Sequence, residues 1–91
     1  MFSQKDLRSI DRKYFHVLKA NYFCMTLQSK NTLHYWHLID QEYAKAKTIE
    51  ILHRHRDTGE YHTHSHAPTF NQAIKSIQSH DQFQITVRKR R

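Results

Sequence analysis

The chain predicts an α+β fold, a small antiparallel β-sheet with a C-terminal helix packed on it and a short N-terminal helix. Three observations carry that prediction. Through the middle of the chain apolar and polar residues alternate over strand-length runs, the period of side chains pointing to opposite faces of a sheet. After Pro68 the period lengthens to that of a helix, with a start signal at its head. Gly and Pro occur once each, so most of the chain is expected in regular structure joined by short turns.

Taken in order, Ser3 can cap a short helix, with Asp6 favourable in its first turn. Leu7, Ile10 and Tyr14 follow at helical spacing, and Lys5, Arg8 and Arg12 fall on another side. That basic side reads as a solvated face or as a docking surface for phosphate or carboxylate. From Tyr14 to Ala20 the pattern is extended. Asn21 breaks it, and Phe23, Met25 and Leu27 then alternate with Cys24, Thr26 and Gln28 as in a half-buried strand. Gln28 to Thr32 supplies turn chemistry, with Asn31 able to accept a left-handed backbone. Leu33 to Ile39 returns antiparallel, with Leu33, Tyr35 and Ile39 on one face and Trp36 and Leu38 on the other, the pattern of a central strand covered from both sides. Either the N-terminal helix covers the second face, or Trp36 and Leu38 help to form an exposed patch.

Asp40 to Lys47 reads as a polar connection and Thr48 to His55 as a strand, with Ile49, Ile51, His53 and His55 on one face and Glu50, Leu52 and Arg54 on the other. Beyond Asp57-Thr58-Gly59, Tyr61, Thr63 and Ser65 share one face and His62, His64 and His66 the opposite one. Thr69 and Gln72 then form a capping box, and Phe70, Ala73, Ile74 and Ile77 an apolar helical stripe. His80 and Asp81 fall at the end of that stripe. Phe83, Ile85 and Val87 alternate again, which predicts a short last strand before a basic C-terminal tail, Arg88 to Arg91.

Residues 1–91 form one domain, small enough to bury only about 60–65% of its unfolded surface, so an ion or a partner would add stability that the core lacks. Fifteen Lys and Arg against eight Asp and Glu give a net charge of +7 before any of nine histidines is protonated. Acidic partners are expected, nucleic acid or the acidic face of another protein, and an open sheet face could also take a second copy. The single Cys24 excludes an internal disulfide and fits a reducing compartment. No signal-like segment opens the chain and no apolar run approaches the ~18 residues of a membrane span. A cytoplasmic protein is expected.

The stretch His53 to His66, HRHRDTGEYHTHSH, carries the sharpest chemical signal. Five of its fourteen residues are histidine, spaced as on two strands joined by a Gly-containing turn. Imidazole is the commonest metal ligand near neutral pH. With Thr58-Gly59 as a two-residue loop, His55 faces His62 and His53 faces His64, and four imidazoles share a face. With Asp57-Thr58-Gly59 as a three-residue loop, His55 faces Tyr61, His53 faces Thr63, and the two sets part, since a slip of one residue flips a strand. The chain permits both. Candidate ligands for a zinc-like ion are His53, His55, His62, His64, His66 and His80, with His34 or His37 as further donors and Asp81 or Glu60 orienting an imidazole.

A hairpin followed by a helix, with histidines nearby, resembles the outline of ββα-metal nucleases, but the family's His-Asn-His order is not recognisable and no carboxylate is placed for magnesium. Cys24 lacks the base and orienting partner of a nucleophile. No enzymatic activity is expected. The helix-sheet-helix outline resembles double-stranded RNA-binding domains, with basic residues spread over the N-terminal helix, Lys45, Lys47, Arg54, Arg56 and the tail; no RNP aromatic pattern, GXXG loop or zinc-finger spacing accompanies it. This gives a nucleic-acid-binding module as one alternative. In type the chain resembles the small inhibitors of phages and mobile elements, including the anti-CRISPR proteins: one compact domain with skewed charge and the aromatic strand His34-Tyr35-Trp36-His37. That resemblance implies docking on nucleic-acid-processing machinery and blocking it. Tyr35 and Trp36 are then candidate anchors, and Arg54, Arg56, Arg88, Lys89, Arg90 and Arg91 candidate contacts.

Overall fold

A computed structural model describes residues 2–41, 48–56 and 59–89, with side chains through Thr86. In chain order the elements are α1 (Gln4–Ser9), β1 (Phe15–Ala20), β2 (Cys24–Ser29), β3 (Tyr35–Asp40), β4 (Ile49–Arg54), β5 (His62–Ala67) and α2 (Phe70–Lys89). The strands form one five-stranded sheet in the order β1-β2-β3-β4-β5, every neighbouring pair antiparallel. The predicted fold class is therefore the observed one.

The capping box at Ser3 forms in both directions. Asp6 N–H donates to Ser3 Oγ at 3.0 Å and Ser3 N–H to Asp6 Oδ2 at 2.9 Å. The helix stops at Ser9 because Ile10 turns extended, so Ile10 and Tyr14 lie beyond it. Six residues cannot hold a helix by themselves. This one is anchored by its flanks: Phe2 and Ile10 are buried in the common core, and the Phe2 ring meets Phe70 edge-on at 5.7 Å.

Strand alternation sends Met25, Leu27, Trp36, Leu38 and Ile51 to one face, where all are fully buried together with Phe70, Ala73 and Ile77 of α2. β3 is central, as its pattern predicts, and α2 lies over its inner face. On the outer face Tyr35, His37 and Ile39 are half-buried. Trp36 is thus a core residue and presents no ring to a partner: the helix that Ala73 and Ile77 hold down lies over the tryptophan's side of the sheet.

Three local expectations are overturned. The left-handed residue of the β2–β3 connection is Leu33, at φ 62°, not Asn31. Leu33 N–H reaches back to Ser29 C=O at 2.8 Å while Ser29 N–H meets His34 C=O at 3.0 Å, and closing both bonds falls to the residue just before His34. The short strand over Phe83, Ile85 and Val87 does not exist, because α2 runs through Lys89. No Gly or Pro interrupts 70–89, and β-branched residues cost a helix only tenths of a kcal/mol each, so propagation continues. Arg88 and Lys89 accordingly belong to the last helical turn, and Arg90 and Arg91 lie outside the described residues.

The third correction concerns the histidine hairpin. Ile49, Glu50 and Ile51 pair with Ala67, His66 and Ser65, whereas Leu52 and His53 pair with Thr63 and His62. The first three pairs keep the register of the three-residue loop. His64 is then an unpaired extra residue, a β-bulge, and past it the register has slipped by one. Thr58 and the connection 42–47 lie outside the described residues. Gly59 is left-handed at φ 93°, as a turn glycine requires.

Candidate metal centre

Trp36 forms the floor of the site. His53, two residues beyond Ile51 on β4 and so on the inner face, stacks on the indole with centroids 4.2 Å apart and planes 23° from parallel. His80 meets the indole edge-on at 5.4 Å. It continues the stripe of Phe70, Ala73 and Ile77, since residues three and four apart share a helix face. His34 has the parity of Trp36 and Leu38, and its ring lies 4.9 Å from His53. One ring nitrogen each from His34, His53 and His80 lies within 4.8 Å of the other two. His34 is 2% exposed and His53 7%.

Two pairs of ring nitrogens are closer still. His53 Nε2 and His34 Nδ1 are 3.0 Å apart, and His64 Nε2 and His80 Nδ1 3.3 Å. Two nitrogens on one tetrahedral ion at ~2.0–2.1 Å stand about 3.3 Å apart, so the first pair needs to open by only a few tenths of an ångström to share a metal. His80 Nε2 is buried and makes no hydrogen bond. A buried ring nitrogen without a partner is costly. If His80 donates from Nδ1 to His64, that Nε2 carries a lone pair.

Electrostatics keep the central ring neutral. Burial, followed by the charges of His34, His55, His80 and His64, pushes the His53 pKa down to about 3. His64 is also lowered, by burial and then by His80. Neutral imidazole is the form that binds a metal.

The bulge decides which other histidines join. By simple alternation His64 would share a face with His66. The extra residue instead puts it beside Ser65 on the inner face, where its Nδ1 lies 2.9 Å from Ser65 Oγ and its ring 4.8 Å from His80. His55, at the far rim, lies 4.4 Å from His34 and 4.6 Å from His53. His66 stays on the outer face, 3.5 Å from Glu50. His62 is exposed at the start of β5. Of the histidines expected as ligands, His53 and His80 are therefore at the centre, His55 and His64 at its rim, His62 opposite His53 in the strand pairing but exposed, and His66 on the other face. His37 lies on the opposite face, its Nδ1 2.9 Å from Thr26 Oγ1.

Asp81 does not orient an imidazole. Fully buried, it accepts hydrogen bonds from Ser29 Oγ at 2.5 Å, Tyr14 Oη at 2.8 Å and Thr32 Oγ1 at 3.0 Å. Ser29 Oγ also receives Trp36 Nε1–H at 3.1 Å, and Thr32 Oγ1 receives His34 N–H at 3.2 Å. The carboxylate thus ties α2 to the turn that delivers His34 and to the floor beneath it. Burial first, with Asp81 adding, pushes the Tyr14 pKa up to about 12. Glu60 is exposed.

The basic candidates are divided. Arg54 is half-buried on the outer face, its guanidinium 5.0 Å from the centroid of Tyr35 and 4.4 Å from that of Tyr61, while Arg56 is exposed.

Fold and site together define a class, an α+β protein whose seam between helix and sheet is lined with histidines. Compared with protein families, curated proteins and solved structures, the chain finds no match in any of the three. Among the described residues no helix is long and apolar enough to cross a membrane.

Proposed function

We propose that this is a non-enzymatic cytoplasmic metal-binding protein, in which His34, His53 and His80 hold a zinc-like divalent ion, and that it acts by docking a basic surface on an acidic partner in nucleic-acid processing. The observation that carries the first half is the convergence of three ring nitrogens within 4.8 Å, in a pocket where one nitrogen lacks a partner and the central ring is held neutral. The three ligands come from the β2–β3 connection, β4 and α2, so an ion would cross-link segments far apart in the chain, the help that a small core needs. The role is structural rather than catalytic. Two of the three rings are almost wholly buried, His64 and His55 line the rim, and Asp81 is occupied by three hydroxyl donors. The second half rests on the charge of +7.

Elemental analysis of untagged protein, with melting measured before and after chelation, tests the ion. About one divalent ion per chain is expected. At an ion concentration of 100 times Kd the stabilisation is about 2.7 kcal/mol, equivalent to a melting shift of roughly 10–20 °C in a domain of this size. His80→Ala should abolish both the ion and the shift while leaving the fold intact, since that ring is half-exposed. Protein that carries no ion and melts identically with and without chelator would end the reading.

A further inference from the structure

We propose that the face of the sheet turned away from α2 is a binding platform for single-stranded nucleic acid, with Tyr35, Arg54, Tyr61 and His37 as its stacking surface. This deepens the docking half of the function above and does not depend on the ion, which would lie on the opposite face.

Register builds the platform. Tyr35 faces Arg54 and His37 faces Leu52 across β3 and β4, so three of the four stacking groups share the outer surface of the central strand and its neighbour, and Tyr61 comes just before β5. Arg54 stands over both tyrosine rings, and the His37 ring is 5.6 Å from that of Tyr61. Aromatic rings and a guanidinium plane are the groups on which unpaired bases stack. They are also held in place beforehand: Arg54 Nη1 donates to Gly59 C=O at 3.3 Å, and His37 is fixed by Thr26. Burial, then the charge of Lys19, lowers the His37 pKa, which leaves a neutral flat ring. Groups already ordered lose little freedom on binding.

Charge selects the occupant. Among the described outer-face residues the one carboxylate is Glu50, and it lies against His66. Lys19, paired with Thr26, and Arg54 leave the face positive. A second copy of a +7 chain would bring like charge against like. An acidic protein surface would satisfy the cations but offer few flat groups to the rings. A duplex supplies phosphates and keeps its bases stacked inside. Single strands supply both phosphates and free bases, and the five strands span about 19 Å at ~4.8 Å each, room for several nucleotides.

Fluorescence polarisation with short uridine-only RNA and thymidine-only DNA strands, each against a duplex of equal length and against polyglutamate as competitor, tests this across a salt series. Single strands should bind, more weakly as salt rises, and the RNA and DNA arms decide which sugar is preferred. Tyr61→Ala and Arg54→Gln should each weaken binding roughly five- to hundredfold. Thr63→Glu, an exposed position on the same face, should do so by charge alone and guards against a tyrosine variant that fails to fold. Lys75→Gln, at an exposed position of α2 on the other side of the sheet, should bind as the parent does. No binding of single strands, equal binding of duplex, polyglutamate competing as well as unlabelled single strand, or folded Tyr61→Ala and Thr63→Glu variants that bind unchanged would each overturn the proposal. None of these outcomes touches the metal measurement.

Discussion

Taking the metal-free protein from pH 7 to pH 4 should remove about 3 kcal/mol of stability through His53 alone. The ring moves from an ordinary pKa of 6.5 to about 3 on folding, and each unit is worth 1.36 kcal/mol. A lowered pKa in the folded state means that between those two values the unfolded chain takes up a proton which the folded chain refuses. Stability is therefore fully present above pH 6.5 and falls as the pH drops toward 3. The full span corresponds to about 5 kcal/mol, and the part completed by pH 4 to about 3. Solvent screening discounts little of this, since the residue is 7% exposed. A domain of this length has roughly 5–14 kcal/mol in all, so the loss is a large share. Urea unfolding at steps between pH 7 and 4, with chelator present, measures it against His53→Phe, a ring that can still lie on Trp36 but cannot titrate. The variant keeps a shallower slope from His64 and His37, which are lowered in the same direction, and from carboxylates common to both proteins. Parallel curves for the two proteins would refute the assignment of that loss to His53.

Asp81→Ala should cost about 3 kcal/mol or more in urea unfolding, because three hydroxyl donors lose a buried acceptor at about 1 kcal/mol each or above; a loss below 1 kcal/mol would deny the carboxylate its tying role. Leu33→Asn should raise stability by up to about 1 kcal/mol in the same assay, since Asn tolerates the left-handed backbone that a leucine adopts only under strain, and the leucine side chain given up is 59% exposed. An unchanged or lower midpoint would show that the turn is not strained there.

What could be read from the chain follows the range of the interactions involved. Alternation over Met25 and Leu27, over Trp36 and Leu38, and over Ile49 and Ile51 grouped the side chains of β2, β3 and β4 correctly by face, because period 2 is a local property of extended backbone; which face of β3 the helix α2 covers was not legible, since both faces carry apolar residues. The capping residues Ser3 and Thr69 were equally legible, the latter accepting from Gln72 N–H at 3.2 Å. The alternation of Phe83, Ile85 and Val87 misled, since a pattern of three residues carries less weight than an uninterrupted helix already under way. Asn31 misled for a different reason. Its residue type suits left-handed backbone, but closure between Ser29 and His34 assigned that conformation two positions later. The histidine register could be read only in part: three pairs keep the register of the three-residue loop, but nothing in the local spelling HTHSH marks its central residue as the extra one.

That bulge explains why the site is neither of the arrangements the hairpin suggests. A regular pair of strands would either face His53 and His55 with two histidines of β5 or separate the sets altogether. The extra residue divides β5 instead, turning His64 inward toward His80 and leaving His66 outward with Glu50. The remaining ligands come from elsewhere, from a helix that continues one turn past its apolar stripe and from a turn that Asp81 holds in place. β3 and β4 therefore serve two surfaces with alternate residues, Trp36 and His53 toward the histidine seam, Tyr35, His37 and Arg54 toward the outer face, where they are half-buried. Neighbours in sequence such as His53 and Arg54 lie on opposite sides of one sheet, so a change to the inner residue acts first on packing and ion binding, and a change to the outer one on whatever the open face contacts.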